Sequence, residues 1–178
     1  SRSKYLNIIK DINFNPVPNS LSFNTDFNRQ FGEVQQRKLG TDEYTVPATF
    51  NKYFTWDRMY GIKWNPFKSV NLDFSAVNNA RIDEPAGRLD TDAKKDTLWD
   101  NILDFGRTTR YQHSFNANYN LPIDKIPVLD WMQIRAGYGS TYSWVAAALV
   151  LDSNGRYADN PLGNTINNSN SIRLNGEF

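Results

Sequence analysis

Side chains suited to acid–base or metal chemistry are few and scattered along this chain. His113 is the only histidine and there is no cysteine, which excludes a thiolate nucleophile, a thiolate metal site and a disulfide. His113 lies on the apolar side of an alternating run, where a packed or interfacial imidazole is expected rather than a catalytic base. A zinc site with one histidine would need three carboxylate or water ligands, which is an uncommon set.

Carboxylates concentrate between residues 83 and 104. Glycosidases use a pair of such groups, one as an acid and the other as a base or nucleophile. Here the acids are interspersed with Arg81, Arg88, Lys94 and Lys95, which favours a solvated loop over a catalytic pair. The acids are Asp83, Glu84, Asp90, Asp92, Asp96, Asp100 and Asp104.

The segment 151–160, LDSNGRYADN, places Asp and Asn around a glycine with the spacing of a calcium loop. It lacks the terminal bidentate Glu of an EF-hand, so a calcium site is the less favoured interpretation. No G-x-S-x-G elbow accompanies the many serines and threonines. None of these residues specifies a reaction, and we predict a protein that is not an enzyme and uses no cofactor.

The elements that carry these residues are long alternating runs, the pattern of strands with one apolar and one polar face. Aromatic residues make up 14% of the chain, which also favours strands. Lys plus Arg (20) nearly balance Asp plus Glu (19), so the charge gives no reason to expect nucleic acid as a partner. We predict an all-β, antiparallel protein with strands over about 19–31, 48–64, 68–82, 107–121, 128–146 and 171–178.

The connections between the predicted strands alternate in length. Those at 13–20, 65–68 and 122–127 are short and contain proline, whereas those at 32–46, 83–106 and 147–170 are long and polar. Short turns at one end and long loops at the other are typical of an outer-membrane barrel with periplasmic turns and external loops. The runs also extend for 13 or more residues, or roughly 40 Å at about 3.3 Å per residue, which is enough to cross a bilayer at a tilt.

One helix is predicted at about 92–105, inside the second long loop. Thr91 can cap its start, and Leu98, Trp99, Ile102 and Phe105 recur at helical spacing.

The alternation assigns each strand a lipid face and a lumen face. Lys52 and Arg58 are exceptions, because they fall on the apolar side of their run. The residues predicted to face lipid or to form interfacial girdles are Trp56, Tyr60, Trp64, Phe74, Phe115, Tyr119, Ile134, Tyr138, Tyr142 and Trp144. Those predicted to face an aqueous lumen are Asn71, Asp73, Arg110, Gln112, Asn116, Asn118, Gln133 and Arg135.

Several long stretches resemble one known family in their exact residue sequence as well as in their alternation of apolar and polar residues. They are FSAVNNARIDEP (74–85), GRTTRYQHSFNANYNLP (106–122), LPIDKIPVLDW (121–131) and DNPLGNTINNSNSIRLNG (159–176). Over about residues 13–178 the chain is similar to the SprA (Sov) family, the outer-membrane translocon of the type IX secretion system, which is linked in some Bacteroidota to gliding motility.

The resemblance implies that residues 1–178 are one segment of a much larger single-chain barrel in the cell outer membrane. That barrel would export folded cargo carrying C-terminal sorting domains. The implied partners are the remainder of the barrel chain, a PorV-like barrel protein that receives cargo, a periplasmic plug protein, the secreted cargo and outer-membrane lipid. About six strands cannot enclose a protein-sized lumen, so the expected role is a section of barrel wall.

Two other interpretations remain open. An outer-membrane transporter or porin-like barrel for small ligands would show the same strands and girdles. A soluble β-sandwich that binds or hydrolyses glycans would also alternate, although its strands are usually about 5 to 6 residues long.

Overall fold

The computed structural model describes residues 14–37, 46–123, 131–151, 157–158 and 162–177. Six of its strands are long and two contain two residues each. The strands are β1 (Ser20–Val34), β2 (Thr49–Phe67), β3 (Val70–Arg81), β4 (Arg107–Leu121), β5 (Gln133–Val145), β6 (Val150–Leu151), β7 (Tyr157–Ala158) and β8 (Thr165–Glu177). The helix α1 (Asp92–Leu103) lies between β3 and β4 in the chain.

The long strands form one sheet in the order β1-β2-β3-β4-β5-β8. β5 pairs antiparallel with both β4 and β8, while β6 and β7 form a separate two-stranded ladder between β5 and β8 in the chain. The prediction of a mainly antiparallel β-sheet with one short helix is confirmed. Within the described residues, β1 and β8 are the two edges of this sheet, and every residue of β8 is exposed.

Strand ends differ from the sequence expectation at several points. β2 continues through Phe67, so the turn before β3 is Lys68–Ser69 and not 65–68. β8 begins at Thr165 instead of 171, and β5 begins at Gln133 instead of 128. Most of the predicted turn at 122–127 and residues 128–130 lie outside the described residues.

The chain divides into two compact units. Unit 1 comprises Ser1–Asn24, Met59–Asn78 and Arg110–Phe178, and unit 2 comprises Thr25–Arg58 and Asn79–Thr109. Among the described residues, the buried apolar side chains are Phe54, Ala80 and Ile82 in unit 2 and Pro66 and Ala76 in unit 1. So small a core means that most apolar side chains pack across neighbouring strands on the surface of the sheet.

The helix begins and ends with recognisable caps. Thr91 is the N-cap residue, as predicted, but its side chain makes no capping hydrogen bond. At the other end, Phe105 N–H donates to Ile102 O and Gly106 N–H donates to Asn101 O, the two bonds of a Schellman motif. Among the described residues, no helix has the length and apolar character needed to span a membrane.

Candidate functional site

One face of β4, β5 and β8 in unit 1 is polar along most of its length, with the apolar Val145 opposite Arg110 at one end. The antiparallel register aligns Gln112 with Ser143, Ser114 with Thr141 and Asn120 with Arg135 on this face. Asn167, Ser169, Arg173 and Asn175 of β8 continue these rows. We call this surface the polar face. Its polar side chains can exchange hydrogen bonds with water, and cations are sparse among neutral amides and hydroxyls.

Two glycines of the polar face lie beneath the polar side chains of the neighbouring strands. Gly137 and Gly139 of β5 lie opposite Asn118 and Asn116 of β4. A β-carbon at Gly139 would lie 2.9 Å from Oγ of Ser171 and 3.3 Å from Oδ1 of Asn116. The flanking polar side chains therefore lie over the glycines and occupy the space that a larger residue would need.

The opposite surface of β4 and β5 carries rings, and we call it the aromatic face. The rings of His113 and Tyr142 stack at 5.2 Å, and Phe74 and Tyr111 approach His113 at 5.9 and 5.5 Å. Nδ1 of His113 is buried and has no hydrogen-bond partner among the described residues. His113 is thus a packed ring, as predicted from its place on the apolar side of its run.

Exposure separates the two predicted sets of residues. All eight residues predicted to face a lumen are exposed. Of those predicted to face lipid, Tyr60, Tyr119 and Tyr138 are exposed, and the remainder are half-buried by neighbouring rings and strands. The structure brings six of the eight lumen-set residues together on the polar face, namely Arg110, Gln112, Asn116, Asn118, Gln133 and Arg135, whereas Asn71 and Asp73 lie on β3.

Trp56 has a different environment from the rest of its set. In unit 2 its ring stacks on Phe27 at 4.7 Å and on Phe105 at 5.5 Å, and its Nε1 donates to Oγ1 of Thr25 at 2.6 Å. Phe105 follows the helix, so the connection between β3 and β4 folds over this part of β1 and β2. The Trp56 ring is therefore packed against protein by two stacked rings and a hydrogen bond.

Arg58 fixes the end of the helix against this stack. Its guanidinium lies 4.7 Å from the centre of the Trp56 ring and 5.4 Å from that of Phe105, and it donates to the carbonyl oxygen of Phe105 at 3.2 Å. Phe105 has a φ of +63°, a conformation that favours glycine. Stacking on Trp56 and the Arg58 contact stabilise this conformation.

The same connection is anchored by Glu84. Its carboxylate accepts hydrogen bonds from Arg29 at 2.5 and 3.2 Å and lies 3.5 Å from Nζ of Lys52. Lys52 also donates to the carbonyl oxygen of Pro85 at 2.8 Å. Burial of Glu84 opposes ionisation, but the Arg29 hydrogen bonds and the charges of Arg29 and Lys52 outweigh it and hold the pKa of Glu84 below its ordinary value.

We expect Glu84→Gln to loosen this anchor by about 1–2 kcal/mol. Hydrogen bonds to charged groups contribute about 1.5–3 kcal/mol, and we take the lower part of that range because the Arg29 side chain is 42% exposed, against 3% for Glu84. The measurement is hydrogen exchange at the Ile82 amide, which donates to Phe54 O next to the anchor.

The wild-type anchor should weaken in acid. Because the folded pKa of Glu84 is lowered, its contribution is complete above the ordinary value of 4.5 and is lost as the pH falls through the folded pKa. The control is Glu33→Gln, which breaks a pair with Arg88 on the same connection, but Arg88 is 65% exposed and a much smaller change than for Glu84→Gln is expected. Equal effects of the two variants, or protection of Ile82 that is independent of pH in the wild type, would contradict the anchoring role.

Sequence reasoning missed this anchor, although one signal was present. Lys52 and Arg58 interrupt an apolar face, and a cation there needs an anion, a carbonyl or an aromatic ring. The sequence did not identify those partners, because Glu84 and Phe105 are distant in the chain from the cations that they meet.

In the part of the chain that the structure describes, no three His, Asp or Glu side chains are grouped closely enough to hold a metal ion. The calcium-like segment 151–160 lies largely outside the described residues. No protein-family model matches the chain, and no curated protein matches it.

Proposed function

We propose that this chain forms a section of the wall of a protein-conducting outer-membrane barrel, of the type IX translocon class that its sequence resembles. The observation that carries the proposal is the pairing of the polar face with the aromatic face on opposite sides of β4 and β5. In this role the polar face lines a water-filled passage and the aromatic face meets lipid.

The lengths of the strands support a membrane-spanning role. β5 and β8 have 13 residues each and β4 has 15. At about 3.3 Å per residue and a tilt of roughly 40°, 13 residues rise about 33 Å, more than the apolar band of about 25 Å in such barrels. Strands of a soluble sandwich are usually less than half as long.

The chemistry of the polar face suits the passage of varied protein surfaces. It presents mainly neutral amides and hydroxyls, with Arg110, Arg135, Arg173 and Glu177 as its charges. Neutral groups exchange hydrogen bonds with water without holding one cargo strongly. We infer a wall that cargo slides along and does not bind.

The edges of the sheet support a larger barrel. β1 and β8 present unpaired edges in the described structure, and an open edge is not stable in lipid. In the proposed barrel these edges pair with further strands of the same polypeptide. We do not assign Trp56 to the lipid surface, because Phe27 and Phe105 cover its ring.

Site-directed spin labelling along β4 tests the faces. The chain has no cysteine, so single cysteines can be introduced without background labelling. In the intact protein in its bilayer, we expect a nitroxide at Phe115 to collide mainly with oxygen and one at Asn116 mainly with a water-soluble nickel chelate. High accessibility to the nickel chelate at both positions would support a soluble sheet and contradict the proposal.

A second measurement separates protein export from small-ligand transport. A bulky maleimide on a cysteine at Asn116 should reduce export of folded cargo by the intact protein, while the same label at Phe115 should not. Uptake of a small solute that falls while export is unchanged would favour a nutrient transporter instead.

A further inference from the structure

The helix α1 presents an apolar row that nothing in the described structure covers. Trp99 and Leu103 are 59% and 70% exposed, although apolar side chains of this size are usually buried. They are four residues apart, so they are neighbours on one side of the helix. Phe105, just beyond the helix, is 58% exposed on the side of its ring that does not meet Trp56.

This row is not the surface by which the helix packs on its own unit. The half-buried residues of α1 are Lys94, Leu98, Asn101 and Ile102. At 3.6 residues per turn, Lys94, Leu98 and Asn101 lie on the opposite side of the helix from Leu103, and Ile102 borders Trp99 at the edge of the packed side. The helix is attached through that side and through the anchored ends of its loop, and its exposed row remains available for another contact.

An acidic row runs beside the apolar one. Asp96, Asp100 and Asp104 follow at intervals of four residues, and all three are exposed. The nearby cations are engaged elsewhere, since Lys94 pairs with Asp90 at 2.8 Å and Lys95 pairs with Asp92 at 2.9 Å. Among the described residues, these three aspartates have no ion-pair partner.

We propose that this side of α1 docks a basic segment of a partner protein, with an apolar side chain inserted beside Trp99 and Lys or Arg side chains against Asp96 and Asp100. Exposed Trp is the residue type most often responsible for binding energy at protein interfaces. The acidic row selects the occupant by charge. A lipid surface is disfavoured, because helices that lie on membranes carry Lys and Arg beside their apolar residues, and here that position is acidic.

The probe is a 14-residue peptide with leucines at helical spacing and lysines elsewhere, compared with the same peptide carrying glutamates. Both are labelled with a dye and titrated by anisotropy against the intact protein in nanodiscs of zwitterionic lipid, with empty nanodiscs subtracted. If the spin-labelling experiment shows that both faces of β4 are accessible to water, the protein is titrated in buffer without nanodiscs. We expect the lysine peptide to bind at least tenfold more tightly than the glutamate peptide, and increasingly weakly as salt rises.

Variants locate the binding. Trp99→Ala should weaken binding at least tenfold, and Asp96→Asn with Asp100→Asn should remove most of its salt dependence. The control is Trp131→Ala, which removes a tryptophan of similar exposure (62%) from unit 1 and should leave the affinity unchanged.

Three results would overturn the inference. They are equal affinity for the two peptides, an unchanged affinity in both the Trp99 and the aspartate variants, and a preference of the helix for lipid vesicles over the lysine peptide. The inference does not rest on the barrel, because it concerns only unit 2 and is measured by a different readout from the labelling of β4.

Discussion

In the proposed barrel, Phe115→Arg should make membrane insertion less favourable by about 2–4 kcal/mol, the cost of a cation near the middle of a lipid-facing surface. Phe115 is near the centre of β4, and its ring lies 6.2 Å from that of Tyr138 on the aromatic face. Replacing it would remove this packing and place a guanidinium in hydrocarbon. The measurement is the denaturant dependence of folding into lipid vesicles.

The matched control is the adjacent residue on the other face. Asn116 is exposed and pairs with Gly139 of β5, so an arginine there has water around it and no opposing side chain across the ladder with β5. Asn116→Arg should change the insertion free energy by less than about 1 kcal/mol. Ile134→Arg, at the second residue of β5, should fall between the two, because the cost decreases towards the interface. Equal tolerance of all three would reject the assignment of faces.

Gly106→Ala should destabilise unit 2 by about 2–4 kcal/mol. Gly106 has a φ of +66°, a left-handed conformation that costs a residue with a β-carbon about 1–2 kcal/mol. A β-carbon would also lie 3.0 Å from the carbonyl oxygen of Arg81 and 3.2 Å from Cγ1 of the buried Ile82. The backbone of Arg81 and the buried side chain of Ile82 cannot easily move away from the added methyl group. The resulting steric strain therefore adds to the cost of the left-handed conformation. The measurement is hydrogen exchange at Ile82, together with the denaturant midpoint of the intact protein.

Gly87→Ala separates the two contributions. Gly87 belongs to the same unit and has a φ of +75°, but the nearest atom to an added β-carbon is the flexible Nζ of Lys94 at 3.8 Å. This variant should show the conformational cost alone, about 1 kcal/mol. If both variants had the same effect, the close approach of Gly106 to the β3 end would not be a constraint on the fold.

The spacing of apolar and polar residues predicted most of the secondary structure, because strands and helices are favoured by residues only a few positions apart. Alternation with a period of two assigned β4 its faces, and the six polar residues that the sequence predicted on β4 and β5 do share one face. The start of α1 followed from Thr91 and from apolar spacing. Its end is set by Phe105 in the left-handed region, which sequence reasoning did not identify because that position usually holds glycine.

β8 shows why strand limits are less predictable. Its first half, TINNSN, has one apolar residue, and Asn168 and Asn170 fall at positions that align with Tyr142 and Ser140 of β5. Nothing in this composition favours a strand. The segment is extended because the backbone ladder with β5 continues through it, and a ladder depends on the neighbouring strand as much as on the segment itself.

The sequence alone determined that the protein is built of long two-faced strands, where one helix begins, and that thiolate chemistry and disulfides are excluded. Only the tertiary structure decided what covers Trp56, how Glu84 meets Arg29 and Lys52, and which side of α1 remains exposed. The first group depends on residues a few positions apart, whose geometry is fixed by backbone periodicity. The second depends on contacts such as Arg29 with Glu84, 55 residues apart in the chain, which exist only after the loop has closed over the strands.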